Sequence, residues 1–134
     1  MISVRTYFDR LTVAARRAVH SNLEDTVGLN VAGQDVVLRF DSRSFRKTIL
    51  PALAHLESSA PAADTASVFD LCDSTGTGQV PPQLPFGAGD YHRYGQRAIA
   101  HEGSLSLMHA PGAGLLFAYD RSARHGIFWT VDAA

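Results

Sequence analysis

Four short runs in residues 97–134, rich in apolar and aromatic side chains and separated by turn-forming clusters, constrain the fold more than anything else in the chain. Residues 97–102 and 104–110 flank the Glu102-Gly103 junction, residues 115–120 follow Pro111-Gly112-Ala113-Gly114, and residues 125–131 follow Arg121-Ser122-Ala123-Arg124. A strand turns successive side chains to opposite faces, so Leu115, Phe117 and Tyr119 share one face, as do Ile127, Trp129 and Val131. The reading is a β-meander, and a sheet of that extent needs cover.

Cover is available upstream. Val4–His20 has helical spacing, with Ser3 placed to cap it and Val4, Phe8, Leu11, Ala15 and Ala18 forming one apolar stripe. Arg5, Arg16 and Arg17 fall outside the stripe and read as a solvated face. The stripe is narrow and part alanine, which favours a helix packed on a sheet over one lying on a membrane. A second helical pattern, Phe45, Ile49, Leu53 and Leu56, is interrupted by Pro51. Proline is tolerated in a first turn and costly in an interior, so the favoured helix starts near Thr48 and ends at Glu57, with a kinked helix from Ser44 as the alternative.

Between the two helices, residues 27–31 and 36–40 read as a hairpin. Gly33-Gln34 as a II′ turn would pair Val31 with Val36, Leu29 with Leu38 and Val27 with Phe40, so that every apolar residue meets another. Residues 58–64 form a polar connector, and residues 66–72 are apolar on both faces apart from Asp70, as expected of a strand covered on both sides or one near the sheet centre. Asp70 is then either functional or a strand-end carboxylate reaching solvent or a backbone N–H. The expected fold class is α+β, with two helices packed on a mostly antiparallel sheet of about seven strands.

At 134 residues and 46% hydrophobic, a single domain over 1–134 is expected, able to bury roughly two-thirds of its unfolded surface without a metal or disulfide. Cys72 is the only cysteine and lies in the apolar run, where it reads as a small buried hydrophobe. A net charge of −1 argues against a nucleic-acid partner. With no signal peptide and no long apolar run, the expected setting is cytoplasmic with no membrane contact.

Asp73-Ser74-Thr75-Gly76-Thr77-Gly78 resembles a phosphate-binding loop but lacks the Lys-Ser or Lys-Thr that would hold phosphate and magnesium, so ATP binding is not expected. Residues 74–95 hold three of the six prolines and five of the eleven glycines and read as one long loop. Loops beyond roughly 12–15 residues are usually functional or disordered, which makes Asp90, Tyr91, His92, Arg93 and Tyr94 the candidate contact surface. The same tyrosines and Phe86 would also serve to pack the loop on a sheet edge. If Glu102-Gly103 is the turn, His101 pairs with Ser104 and His109 lies on the opposite face, so the two histidines cannot share an ion. No metal-ligand spacing, nucleophile elbow or Cys-His pair is present, and no metal, cofactor or catalytic residue is expected.

The segment Val68-Phe69-Asp70-Leu71-Cys72-Asp73-Ser74, the aromatic-rich loop and the meander ending Ile127-Phe128-Trp129-Thr130-Val131 together resemble the region ahead of the phosphate-loop domain in bacterial proteins related to HPr serine kinase, including relatives from lasso-peptide pathways. The resemblance covers residues 27–134 and rests on a loose motif. In that family the ATP-dependent serine kinase chemistry belongs to a following domain, so only Asp73, Ser74 and Trp129 match, in structural roles. The implied reading is the non-catalytic N-terminal module of a larger kinase-like protein, docking a downstream or associated kinase domain and contacting a peptide or protein substrate. Residues 127–131 carry large apolar side chains on both faces, and a neighbouring kinase domain is expected to cover them. Two other readings stand beside it: a free-standing enzyme using Asp70, His92 or His101 as acid or base, and a structural subunit joining through a sheet edge.

Overall fold

The structure, a computed structural model, describes residues 2–20, 26–57, 66–74, 78–91 and 97–130. Helix α1 (Val4–His20) opens with the Ser3 hydroxyl accepting the Thr6 N–H at 3.1 Å, the cap expected there. Its buried stripe holds Phe8, Leu11, Ala15 and Ala18, with Val4 partly buried. Tyr7 joins it, and the apolar ring is fully sealed while its hydroxyl donates to the Pro82 carbonyl at 2.9 Å.

Among the described residues, seven strands form one sheet: β1 (Thr26–Val31), β2 (Gln34–Phe40), β3 (Ser67–Asp73), β4 (Ala98–Glu102), β5 (Leu105–Ala110), β6 (Leu115–Asp120) and β7 (His125–Thr130), in spatial order β1-β2-β3-β7-β6-β5-β4. The pairs β2–β3 and β3–β7 are parallel and the other four antiparallel. The architecture is therefore the α+β one expected, and the apolar run that carries Asp70 is an inner strand, as its pattern implied.

Two hairpin registers differ from expectation. Val31 pairs with Gln34, Leu29 with Val36 and Val27 with Leu38, so the first turn is Ala32-Gly33 and not Gly33-Gln34. Both turn residues have positive φ (53° and 85°), the signature of a type I′ turn, and the Gly33 N–H donates to the Asn30 side chain at 3.2 Å. The shift is by two residues and keeps every side chain on its expected face. It moves Phe40 past the end of β1, opposite Leu71 of β3, where it is fully buried. In the second hairpin Glu102 pairs with Leu105 and His101 with Ser106, not Ser104. Gly103 takes the positive φ (58°) at the first turn position, which centres the turn one residue later than expected.

The second helix also starts earlier. Helix α2 (Arg43–Ile49) is capped by the Ser42 hydroxyl, which accepts from Phe45 N at 3.2 Å, and it passes into a 3-10 segment, Leu50–Leu56. Pro51 sits at the start of that segment, where its missing N–H breaks no helical hydrogen bond, so the chain changes helix type and does not wait until Thr48 to begin. Phe45, Ile49, Leu53 and Leu56 face the sheet as the spacing required.

The two helical layers lie on opposite faces. Helix α1 covers Cys72, Leu105, Leu107, Leu116, Ala118, Ile127 and Trp129, while α2 and the 3-10 segment cover Val27, Leu29, Leu38, Phe40 and Leu71. Cover for Ile127 and Trp129 thus comes from within the chain.

Candidate functional site

Three polar side chains meet on the α1 face, on the three parallel strands. Asp70 is mid-strand and fully buried, so it reaches neither solvent nor a backbone N–H as a strand-end residue would. Arg39, its register partner on β2, donates Nε to Oδ1 at 2.6 Å and Nη2 to Oδ2 at 3.1 Å. His125 of β7 brings Nε2 to Oδ2 at 2.7 Å. Burial alone would raise the Asp70 carboxyl, but the hydrogen bonds from His125 and Arg39 and their charges outweigh it and hold the group below the ordinary carboxylate range. An Asp–His pair can serve acid–base chemistry when a nucleophile or substrate reaches the imidazole. Here the Phe8 ring stands edge-on to His125 with centroids 6.1 Å apart, and among the described residues no hydroxyl or thiol bonds to it. Cys72 lies two residues along the same face, and burial, with the Asp41 and Asp70 charges, pushes its thiol up, away from reactivity. The trio ties three strands together.

The carboxyl ends of the same strands are tied again. Trp129 Nε1 donates to Ser74 Oγ at 2.8 Å, and Asp73 N donates to Asp41 Oδ2 at 2.8 Å. Asp73, Ser74 and Trp129 thereby close the strand ends. A further buried carboxylate, Asp120, accepts from Ser104 Oγ at 2.7 Å and from Ser122 Oγ and N at 2.8 and 3.0 Å, which holds it well below its ordinary range.

Of the candidate contact residues, His92, Arg93 and Tyr94 lie outside the described residues. Asp90 accepts from Gly87 N at 2.6 Å and caps its own turn. Tyr91 bonds through its hydroxyl to His109 Nδ1 at 2.7 Å and packs edge-on against His109 and Phe86, with centroids 5.7 and 6.0 Å apart. Burial lowers the His109 pKa, consistent with a neutral imidazole in that contact. Tyr91 therefore anchors the loop to β5. His101 is exposed and bonds to Ser106 Oγ at 3.0 Å, so Asp70 and His101 share no site.

The surface that sequence reasoning missed is the half of the sheet face opposite α1 that no helix among the described residues covers. Ile99 is 40% exposed there, and Met108, Phe117, Tyr119 and Phe128 are half-buried. Phe117 meets Phe128 edge-on at 6.3 Å, and Phe69 stacks on Tyr119 at 5.7 Å and 9°. Gly126 lies between the stacked pair in register, and a Cβ there would strike the Phe69 ring. A glycine inside an apolar strand was the available signal, since it marks a close approach.

Among the described residues, no helix is long and apolar enough to cross a membrane, and no three His, Cys, Asp or Glu side chains group to hold a metal ion. No protein-family model, curated protein or solved structure matches this chain.

Proposed function

We propose that this chain is a non-catalytic docking module that works in the bacterial cytoplasm beside an HPr-kinase-like, ATP-dependent serine kinase domain. Its open sheet half seats that domain, and the assembly receives a peptide or protein substrate. The observation that carries this reading is the contiguous apolar surface of Ile99, Met108, Phe117 and Phe128, which is of the kind that marks interaction sites. The internal consumption of the chemistry-bearing groups supports it from the other side. Asp70, His109 and His125 are each spent on a structural bond.

The test is a titration of the chain with the kinase domain encoded after or beside it, comparing Ile99→Lys with the unaltered protein. Ile99 is exposed enough that lysine leaves the fold intact, and a charge in a buried apolar contact should weaken the complex at least 10-fold, about 1.4 kcal/mol. Unchanged affinity would count against the reading. If the variant instead alters self-association, the structural-subunit reading takes its place, through the edge strands β1 and β4.

A further inference from the structure

We infer that the groove between α1 and residues 83–87 is a binding site for a small organic acid, one carboxylate carried on an apolar body. The groove has a volume of about 340 Å³, at the lower end of the roughly 300–1,000 Å³ common to ligand sites, which suits one small molecule better than a peptide segment. Arg10 of α1 and Gln83 line it together with Ile2, Leu84, Pro85 and Phe86. Ile2, Leu84 and Phe86 also pack against the core beneath α1, so the apolar walls are held from behind.

The walls are fixed at both ends. The Tyr7 hydroxyl of α1 donates to the Pro82 carbonyl at 2.9 Å, which ties the start of the segment to the helix. At its far end Gly87 N donates to Asp90 Oδ2 at 2.6 Å, and Phe86 meets the ring of Tyr91, which bonds to His109 of β5. The groove is preformed, and a ligand entering it has no backbone to order.

Arg10 carries the choice of ligand. It is exposed, yet among the described residues it makes no hydrogen bond or ion pair. An acid three or four residues away on the helix could pair with it, but Thr6, Tyr7, Val13 and Ala14 occupy those positions. Asp9 is its neighbour in sequence, and adjacent residues of a helix do not face each other. Arg5 pairs with Asp120 at 3.4 Å, and Arg16 and Arg17 do not line the groove. One guanidinium with its donors unspent, bordering an apolar wall, matches one carboxylate.

The remaining lining narrows the chemistry. A cationic ligand would be repelled by Arg10, and a phosphate monoester would set roughly two negative charges against one cation. Asp90, bonded at the Gly87 end, disfavours a second carboxylate there, so the acid group faces Arg10 and the apolar body lies along Leu84, Pro85 and Phe86. Gln83 adds an amide able to donate to the same carboxylate.

This site lies on the α1 side, away from the open sheet half, and stands without the kinase reading. It is tested on the chain alone by amide NMR, with phenylacetate as the probe. Saturable shifts confined to residues 2–10 and 82–91 are expected, with a dissociation constant at or below about 1 mM. Affinity should fall at least 10-fold for acetate, which lacks the apolar body, and at least 10-fold for benzylammonium, in which the charge is reversed. Arg10→Gln, at an exposed helix position that leaves the fold intact, should cost at least 5-fold and Gln83→Ala at least 2-fold, while Arg16→Gln changes nothing. Shifts that map elsewhere, no saturation by tens of millimolar probe, equal affinity for acetate or benzylammonium, or unchanged affinity in Arg10→Gln would each overturn it. Binding at least 10-fold tighter by a peptide that ends in a phenylalanine carboxylate would overturn it too, making the groove a reader of chain termini.

Discussion

One face of the sheet carries two different environments. Beneath α2 and the 3-10 segment, Phe40, Phe45 and Leu71 are between 0% and 9% exposed. Across the rest of the same face, Ile99 is 40% exposed and Met108, Phe117 and Phe128 are half-buried. The period of a strand shows which residues share a face and says nothing of what lies above them. Cover is a tertiary property: α1 sits over β3, β4, β5 and β7 on the other face, while α2 and the 3-10 segment pack on β1, β2 and β3. The clad half works as core, and the open half keeps apolar side chains partly exposed.

The largest expected effect separates the two halves directly. Phe45→Ala removes a ring that packs edge-on against Phe40 at 6.1 Å and should cost about 3–5 kcal/mol in urea unfolding. Phe117→Ala, on the open half, should cost about 1 kcal/mol, because much of its ring already meets water. Similar losses at both sites would erase the distinction between clad and open.

The seam between the halves is held by Asp70. Asp70→Asn weakens its bonds to Arg39 and His125, and because Arg39 is partly exposed and can be solvated, the loss should be about 2–3 kcal/mol near neutral pH. The folded carboxyl titrates below its unfolded value, so its contribution is present above about pH 4 and is lost as pH falls through the folded pKa. The deficit of the variant should therefore shrink in acid. A deficit independent of pH would mean that packing, and not charge, joins β2, β3 and β7.

The smallest effect tests the corrected turn. Ala32 adopts a left-handed φ that glycine takes without strain, so Ala32→Gly should stabilise the chain by about 0.5–1 kcal/mol. Under the Gly33-Gln34 turn the same change would destabilise a strand residue.

Local features were legible in the sequence and distant partnerships were not. Ser3 capping, the α1 stripe and the meander follow from neighbouring residues, and all are present. The hairpin turns failed where one glycine admits two adjacent placements; Asn30 and the positive φ of Ala32 decide the first, and Gly103 itself decides the second. Pro51 marked a boundary, but its tolerance in a 3-10 segment moved the start of the helix back to Arg43. Asp70 was noticed as odd, yet its partners lie 31 and 55 residues away, and no local pattern links them. Tyr91 belonged to the singled-out loop, but only the fold brings His109 to it.

The central claim is that the open sheet half is a seat for the kinase domain. Met108 is a built-in reporter there, since its thioether is half-buried on that half and the other methionine, Met1, is at the chain start. Peroxide oxidation of Met108, read by mass spectrometry, should slow at least 5-fold when the kinase domain is added at saturation, with Met1 oxidation unchanged. Equal Met108 oxidation with and without the kinase domain would contradict the account.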